Sequence, residues 1–341
     1  MLNKILLTIS ISGLLMLSGC STIPTVALSD YPDDHTATMP QVAKLPANID
    51  NQDRLKVVVL DSVDDSVRGG RQAKLGESLT REIEALLGKN GVEVIDRSLA
   101  TKLDQEIKLC EMQGKKCGSS IGPSVAKYAI KATINRAEYG SSYVPTSSWT
   151  DKKGKTYVTP AHYQHSASAG VSLKVYEMPS LREVKAIVGS DTESQQTSQN
   201  DNLGASMIRA SLQHSVSTGQ AKADLLNIFA PKGYVIGKRV PKGGGKPIFK
   251  VSIGSTNGLV PGAPVVIMTE QETINPITQK SSIELIDVAK TLTSNLVSPN
   301  EAWVVPDDAD KAKQVRLGDQ ALVQHEKRMV FLEKLEQSLN K

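Results

Sequence analysis

The feature that most constrains this chain is a change of pattern near residue 231. Before it, short apolar runs alternate with segments of helical period. After it, the chain is many short strand-like segments separated by Gly and Pro turns. A period that switches from helix–strand alternation to strands alone means two differently built units.

In the first unit, Lys56-Val57-Val58-Val59-Leu60 reads as a buried strand. Leu75, Leu79, Ile83, Leu86 and Leu87 lie at helical spacing, and Asn90-Gly91 ends that helix. Val92–Ile95 is a second strand. Asp96 or Ser98 caps a helix carrying Leu99, Leu103, Ile107 and Leu109. A short helix is expected near Ser124–Tyr128 and a strand over Ala129–Ile134. Residues 139–165, rich in Ser, Thr, Tyr, Lys and Gly, read as a long hairpin or loop projecting from a sheet. Val171–Tyr176 and Val184–Val188 form a hairpin. Polar residues 190–202 lead to one long helix over about 203–229.

The second unit, 231–324, has strands at Tyr234–Val240, Ile248–Ile253, Val265–Met268, Ile283–Val288, Ala302–Val305 and Ala321–Val323. Such spacing predicts a small β-barrel or sandwich, here expected as an SH3-like barrel. His325–Leu339, with Val330, Leu332 and Leu335, reads as a C-terminal amphipathic helix over 325–341.

The N-terminus says where the chain folds. Lys4 is followed by an apolar run, Ile5–Met16, broken only by Thr8, Ser10, Ser12 and Gly13. That run is short for a membrane span and has the form of a signal peptide, residues 1–19. Leu17-Ser18-Gly19-Cys20 matches the lipobox of bacterial lipoproteins. The match implies cleavage before Cys20, acylation of its thiol, and N-acylation of the new terminus. Multiple acyl chains hold a protein firmly to a bilayer. Ser21 departs from the Asp of an inner-membrane retention signal, so the expected address is the outer membrane, periplasmic face. Residues 20–54, with Pro24, Pro32, Pro40 and Pro46, read as a flexible tether.

Cleavage leaves 322 of 341 residues and removes Lys4, taking the formal charge from +4 to +3. Near-neutral charge and 4% aromatic residues argue against a nucleic-acid partner. Cys110 and Cys117 flank a short polar loop, and an oxidising compartment favours a disulfide between them. Zinc would need more ligands than this pair supplies.

Chemistry is sparse. His35 falls in the tether; His162 and His165 are close, but no carboxylate lies near them in sequence to complete a metal site. His214 and His325 complete the five. Asp61, Asp64 and Asp65 follow a strand's C-terminal end, where a polar loop is the commoner reading. Lys242-Gly243-Gly244-Gly245-Lys246 resembles a phosphate loop in composition only, and Pro247 forbids its helix. No catalytic residue, metal or cofactor is expected.

Lys56–Asp61, then Val94-Ile95-Asp96-Arg97-Ser98-Leu99, then Tyr128–Ile134 resemble the α/β (α+β) sandwich of the CsgG family of outer-membrane lipoproteins. Ile253–Gly262 is similar to the turn of the barrel that ends the flagellar outer-ring protein FlgT. The resemblance implies an oligomeric, non-enzymatic, ring-forming component of a flagellar, secretion or conjugation machine. Its partners would be the bilayer, copies of itself and other machine subunits. Two alternatives stand beside it: an outer-membrane export channel of the curli type, and a periplasmic regulator docking on a peptidoglycan enzyme. A channel asks for two spanning hairpins with alternate apolar residues. Residues 137–165 carry Lys152, Lys153, Lys155 and two histidines instead, and residues 189–203 are short and polar.

Overall fold

The computed structural model describes residues 23–42, 55–64, 74–95, 97–113, 118–120, 125–274, 276–277, 279 and 281–326. The elements are β1 (Asp33–Asp34), β2 (Lys56–Val59), α1 (Leu75–Lys89), β3 (Glu93–Val94), α2 (Ala100–Gln113), β4 (Tyr128–Val144), β5 (Ser147–Thr150), β6 (Thr156–Thr159), β7 (His162–Glu177), β8 (Arg182–Thr197), α3 (Gly204–Ser217), α4 (Gly219–Ile228), β9 (Lys232–Val240), β10 (Ile248–Val251), β11 (Pro264–Ile274), β12 (Ser281–Val297), β13 (Ala302–Pro306) and β14 (Gln320–Val323).

The first unit is one five-stranded sheet in the order β3-β2-β4-β7-β8. The β2 strand pairs in parallel with β3 and β4, and the rest is antiparallel. Helices lie on both faces. Val57 and Val59 pack with Leu79, Ile83, Leu212, Leu225 and Phe229. Val58 and Leu60 pack with Leu103, Ile107 and Ala129 on the α2 side. A strand buried on both faces has no polar alternate positions, which is why Val57, Val58 and Val59 follow one another in β2.

The second unit is a closed six-stranded barrel, β9-β10-β13-β12-β11-β14, shut by pairing of β14 to β9. Phe249 fills its centre with Val235, Val251, Val265, Ile267 and Val304. Closure removes the edges that an open sheet would leave. The two units meet where the α1 C-terminus touches the barrel. A Cβ on Gly91 would meet the Asn257 carbonyl at 2.4 Å, and Gly91 has φ +80°, so only glycine fits this approach. Asn227 and His325 exchange two hydrogen bonds across the same junction, at 2.8 and 2.9 Å.

Four expectations are corrected. The expected helix near Ser124–Tyr128 is absent where described: Val125–Lys127 is turn, and Tyr128 already begins β4; residues 121–124 lie outside the described residues. The second hairpin strand, expected over Val184–Val188, is longer: β8 runs from Arg182 to Thr197, into the polar stretch 190–202, held by pairing with β7. The long helix over 203–229 is two helices. Ser215, Ser217 and Thr218 bond back to the carbonyls of Leu212, Gln213 and His214, Thr218 turns extended, and Gly219 takes φ +62°. Side-chain bonds of this kind compete with the helix ladder.

The fourth concerns the tether. Residues 23–42 are not free of the body but run along the barrel as a strap. β1 pairs with β9, with Asp33 opposite Val240, and Gln41 bridges Leu317. Val26 and Met39 are buried. Val26 N donates to Asn295 Oδ1 at 2.6 Å, and Leu317 N donates to the Pro40 carbonyl at 2.8 Å. Residues 43–54 lie outside the described residues. So do the lipobox, Asp65, Cys117 and the C-terminal helix beyond Glu326. Among the described residues no helix is long and apolar enough to cross a membrane.

Candidate functional site

The first unit's unusual part is its ribbon. The β4 and β7 strands pair from Tyr128↔Glu177 out to Val144↔His162, and β8 follows β7 to Thr197. These strands have 16 or 17 residues, where a globular strand has about 5–6. A second hairpin, β5–β6, sits at the tip, so the projecting reading of 139–165 takes the form of a hairpin on a hairpin.

One face of the ribbon is covered. His165, Ala167, Ala169, Val171, Leu173 and Val175 alternate inward along β7. Met207, Leu212 and Val216 of α3 are buried on the sheet. A Cβ on Gly189 would lie 2.0 Å from the Ser215 carbonyl, so β8 is glycine where α3 comes closest.

Farther out the covered face becomes polar. His165 is fully buried, with Nδ1 at 2.7 Å from Tyr139 Oη and Nε2 at 2.8 Å from Thr197 Oγ1. Both ring nitrogens are used within the fold. His162, three residues away on the strand, points to the opposite face and bonds the Pro160 carbonyl at 2.9 Å. The two histidines therefore do not converge. A different histidine does. His214 of α3 has Nδ1 2.5 Å from Glu193 Oε1 and 3.9 Å from Asp191 Oδ2. These three offer ligand atoms within 4.8 Å of one another. The set has the donor types of a divalent-cation site, and equally of a histidine held between two carboxylates. It was invisible in sequence because the acids precede the histidine by about twenty residues, at i and i+2 on a strand.

The opposite face of the sheet carries a second polar cluster. Glu111 of α2 accepts from Tyr176 Oη at 2.6 Å and Lys174 Nζ at 3.1 Å, with Lys131 Nζ at 3.4 Å. Burial alone pushes the Glu111 carboxyl up, but the bonds from Tyr176 and Lys174 and the charges of Lys131 and Lys174 outweigh it and hold the group below its ordinary value. Tyr176 is pushed well up, first by burial and then by Glu111. Glu106, one turn earlier, accepts from Ser119 and Ser120; these bonds overcome burial and lower its carboxyl too. Cys110, between them, is disulfide-bonded, and the expected partner Cys117 lies outside the described residues.

The remaining sequence candidates have structural roles. Asp64 Oδ2 accepts from Gly76 N at 3.3 Å, at the start of α1. Asp61 is exposed in the same loop. Gly243, Gly244 and Gly245 all take positive φ in the β9–β10 turn, and Lys246 Nζ donates to the Asp307 carbonyl at 2.9 Å. His35 lies on the strap, its backbone N–H bonded to Lys238. Burial, then the Lys222 charge, pull His325 below the usual imidazole value.

Among the described residues, several surfaces are left uncovered. The β8 strand is an edge, with β7 on one side and no described strand on the other. On it Val188 is 75% exposed and Val184 is exposed too. At the ribbon tip Trp149 stacks on Tyr157 at 4.7 Å, Lys155 lies over Tyr157, and Tyr143 pairs with Tyr163. On the barrel, the β11–β12 hairpin projects with Ile274, Ile277, Ile283, Leu285 and Ile286 exposed. Large exposed apolar groups in clusters mark surfaces that bind something.

No protein-family model matches the sequence, and no curated protein does. Among solved structures, the chain is similar to a lipoprotein, GNA1162, from Neisseria meningitidis at 13% identity and TM-score 0.22, covering 46% of this chain and 93% of that one. A PelC dodecamer from Paraburkholderia phytofirmans aligns at 13% identity and TM-score 0.21, over 51% and 93%. A hypothetical protein from Chlamydia trachomatis aligns at 12% identity and TM-score 0.30, over 52% and 98%. TM-scores this low assign neither fold nor function.

Proposed function

We propose that this chain is a lipid-anchored, ring-forming structural component of an envelope machine, held at the outer membrane by acylated Cys20. The observation that carries the reading is the open edge of β8 on a long ribbon, with Val184 and Val188 exposed along it. A long unpaired edge is ready to pair with another chain, and soluble monomers blunt such edges. A head-to-tail contact between unlike surfaces closes into a ring when its rotation closes, and otherwise runs on as a filament. In this reading the α/β unit is of the CsgG type, the barrel is SH3-like, and the exposed β11–β12 hairpin meets other machine subunits. Sedimentation of the lipidated protein in detergent tests it. A single large oligomer is expected, dispersed by a Val184→Lys/Val188→Lys variant; a wild-type monomer would overturn the proposal.

The export channel is favoured by one observation, the length of β4, β7 and β8, which exceeds the 9–11 residues a barrel strand needs. Against it, the outer half of β8 presents Ser, Asp, Thr, Glu and Gln on both faces, while β4 and β7 beside it carry Tyr139, Tyr143, His165, Ala167 and Ala169 on one face only.

A further inference from the structure

We propose that the barrel is the part of the protein that rests on the bilayer, through the apolar corner made by Ile23 and the Val260–Gly262 turn; this rests on the reading of Cys20 as the acylated residue. The strap carries the argument. Only Ser21 and Thr22 separate Cys20 from Ile23. Three residues of extended chain reach about 10 Å at most. The polar layer on each side of a bilayer's hydrocarbon core is roughly 5–7 Å deep. An acyl-bearing cysteine at the hydrocarbon boundary therefore leaves Ile23 at the headgroups or just above them.

Ile23 is not free to carry the chain away from the barrel. Asn295 N donates to the Pro24 carbonyl at 3.1 Å, and Val26 N donates to the Asn295 side chain. Farther on, Lys238 N donates to Thr36 Oγ1 at 3.0 Å. The barrel is thus clamped from the first described residues after the anchor. Ile23 also touches the turn beside it: a Cβ on Gly262 would lie 3.1 Å from Ile23 Cγ1. That corner is apolar and uncovered, with Ile23 50% and Val260 59% exposed.

Charge does not decide the matter. Lys222 and Lys290 line the roughly 830 Å³ cleft that this corner also lines, but Asp307 and Glu326 line it as well. The anchor distance and the apolar pair select a phospholipid surface over an acidic protein.

The test places a benzophenone-bearing phenylalanine at position 260 of the full-length lipidated protein. The protein is held in vesicles of phosphatidylethanolamine and phosphatidylglycerol and irradiated. Phospholipid adducts at 260, lost in Cys20→Ala, are expected. Absence of lipid adducts at 260, in protein that has incorporated labelled palmitate, overturns the proposal, whatever position 149 at the ribbon tip shows. Protein that takes up no palmitate fails at the anchor instead, and the proposal falls with it. Position 23 is a second probe site should the substitution at 260 disturb folding.

Discussion

Glu111 concentrates the first unit's electrostatics in one side chain. Its folded pKa is depressed by Tyr176, Lys174 and Lys131, so the sign of its pH effect is fixed. The contribution to stability is full above the unfolded carboxylate value, about 4.3, and is lost as pH falls through the lower folded value. Urea unfolding between pH 6 and roughly pH 3 should show this loss, and Glu111→Gln should flatten it at a cost of about 1 kcal/mol at neutral pH, discounted because the carboxylate is partly exposed. A variant with an unchanged pH slope would contradict the account. Gly189 gives a second, steric prediction. Its Cβ would collide with the Ser215 backbone at 2.0 Å, and backbone yields little. Gly189→Ala should cost about 2–3 kcal/mol by denaturant unfolding. A neutral result would mean that α3 sits farther from β8.

Elements with a local signal were legible in the sequence. Helix α1 announced itself through Leu75, Leu79, Ile83 and Leu87, and β2 through its β-branched run, because each buries its own face. The barrel was legible as a class because Gly and Pro turns punctuate its strands. The outer half of β8 was not. Its residues are Ser, Asp, Thr, Glu and Gln, poor strand formers that are held by pairing with β7. The break between α3 and α4 had a signal in Ser217-Thr218-Gly219, which an apolar period running through it concealed. The strap was hidden for a different reason. Its Pro-spaced sequence has no period, and its partners Asn295 and Leu317 lie some 270 residues away. Asn295→Ala tests it: the buried Val26 N–H loses its acceptor, at a cost of about 1–3 kcal/mol. Amide exchange over residues 23–28 should accelerate while the barrel core keeps its protection. Uniform acceleration across the barrel would mean that the strap has no separate stability.

The molecule as a whole joins a barrel, closed except where the β11–β12 hairpin projects from it, to a ribbon with a long open edge. In the proposed reading, self-association falls to the α/β unit through β8, and the barrel faces the membrane and other subunits. This placement also separates the ring scaffold from the export channel, since a channel sends the ribbon into the bilayer and a scaffold keeps it in water. Cryo-electron microscopy of the lipidated protein extracted in detergent tests this most directly. The account predicts a closed symmetric ring with β8 at the subunit boundary, the ribbon tip around Trp149 and Tyr157 in solvent, and the barrel at the detergent belt. A ring whose β4 and β7 strands run through the belt, or particles that are single subunits, would contradict it.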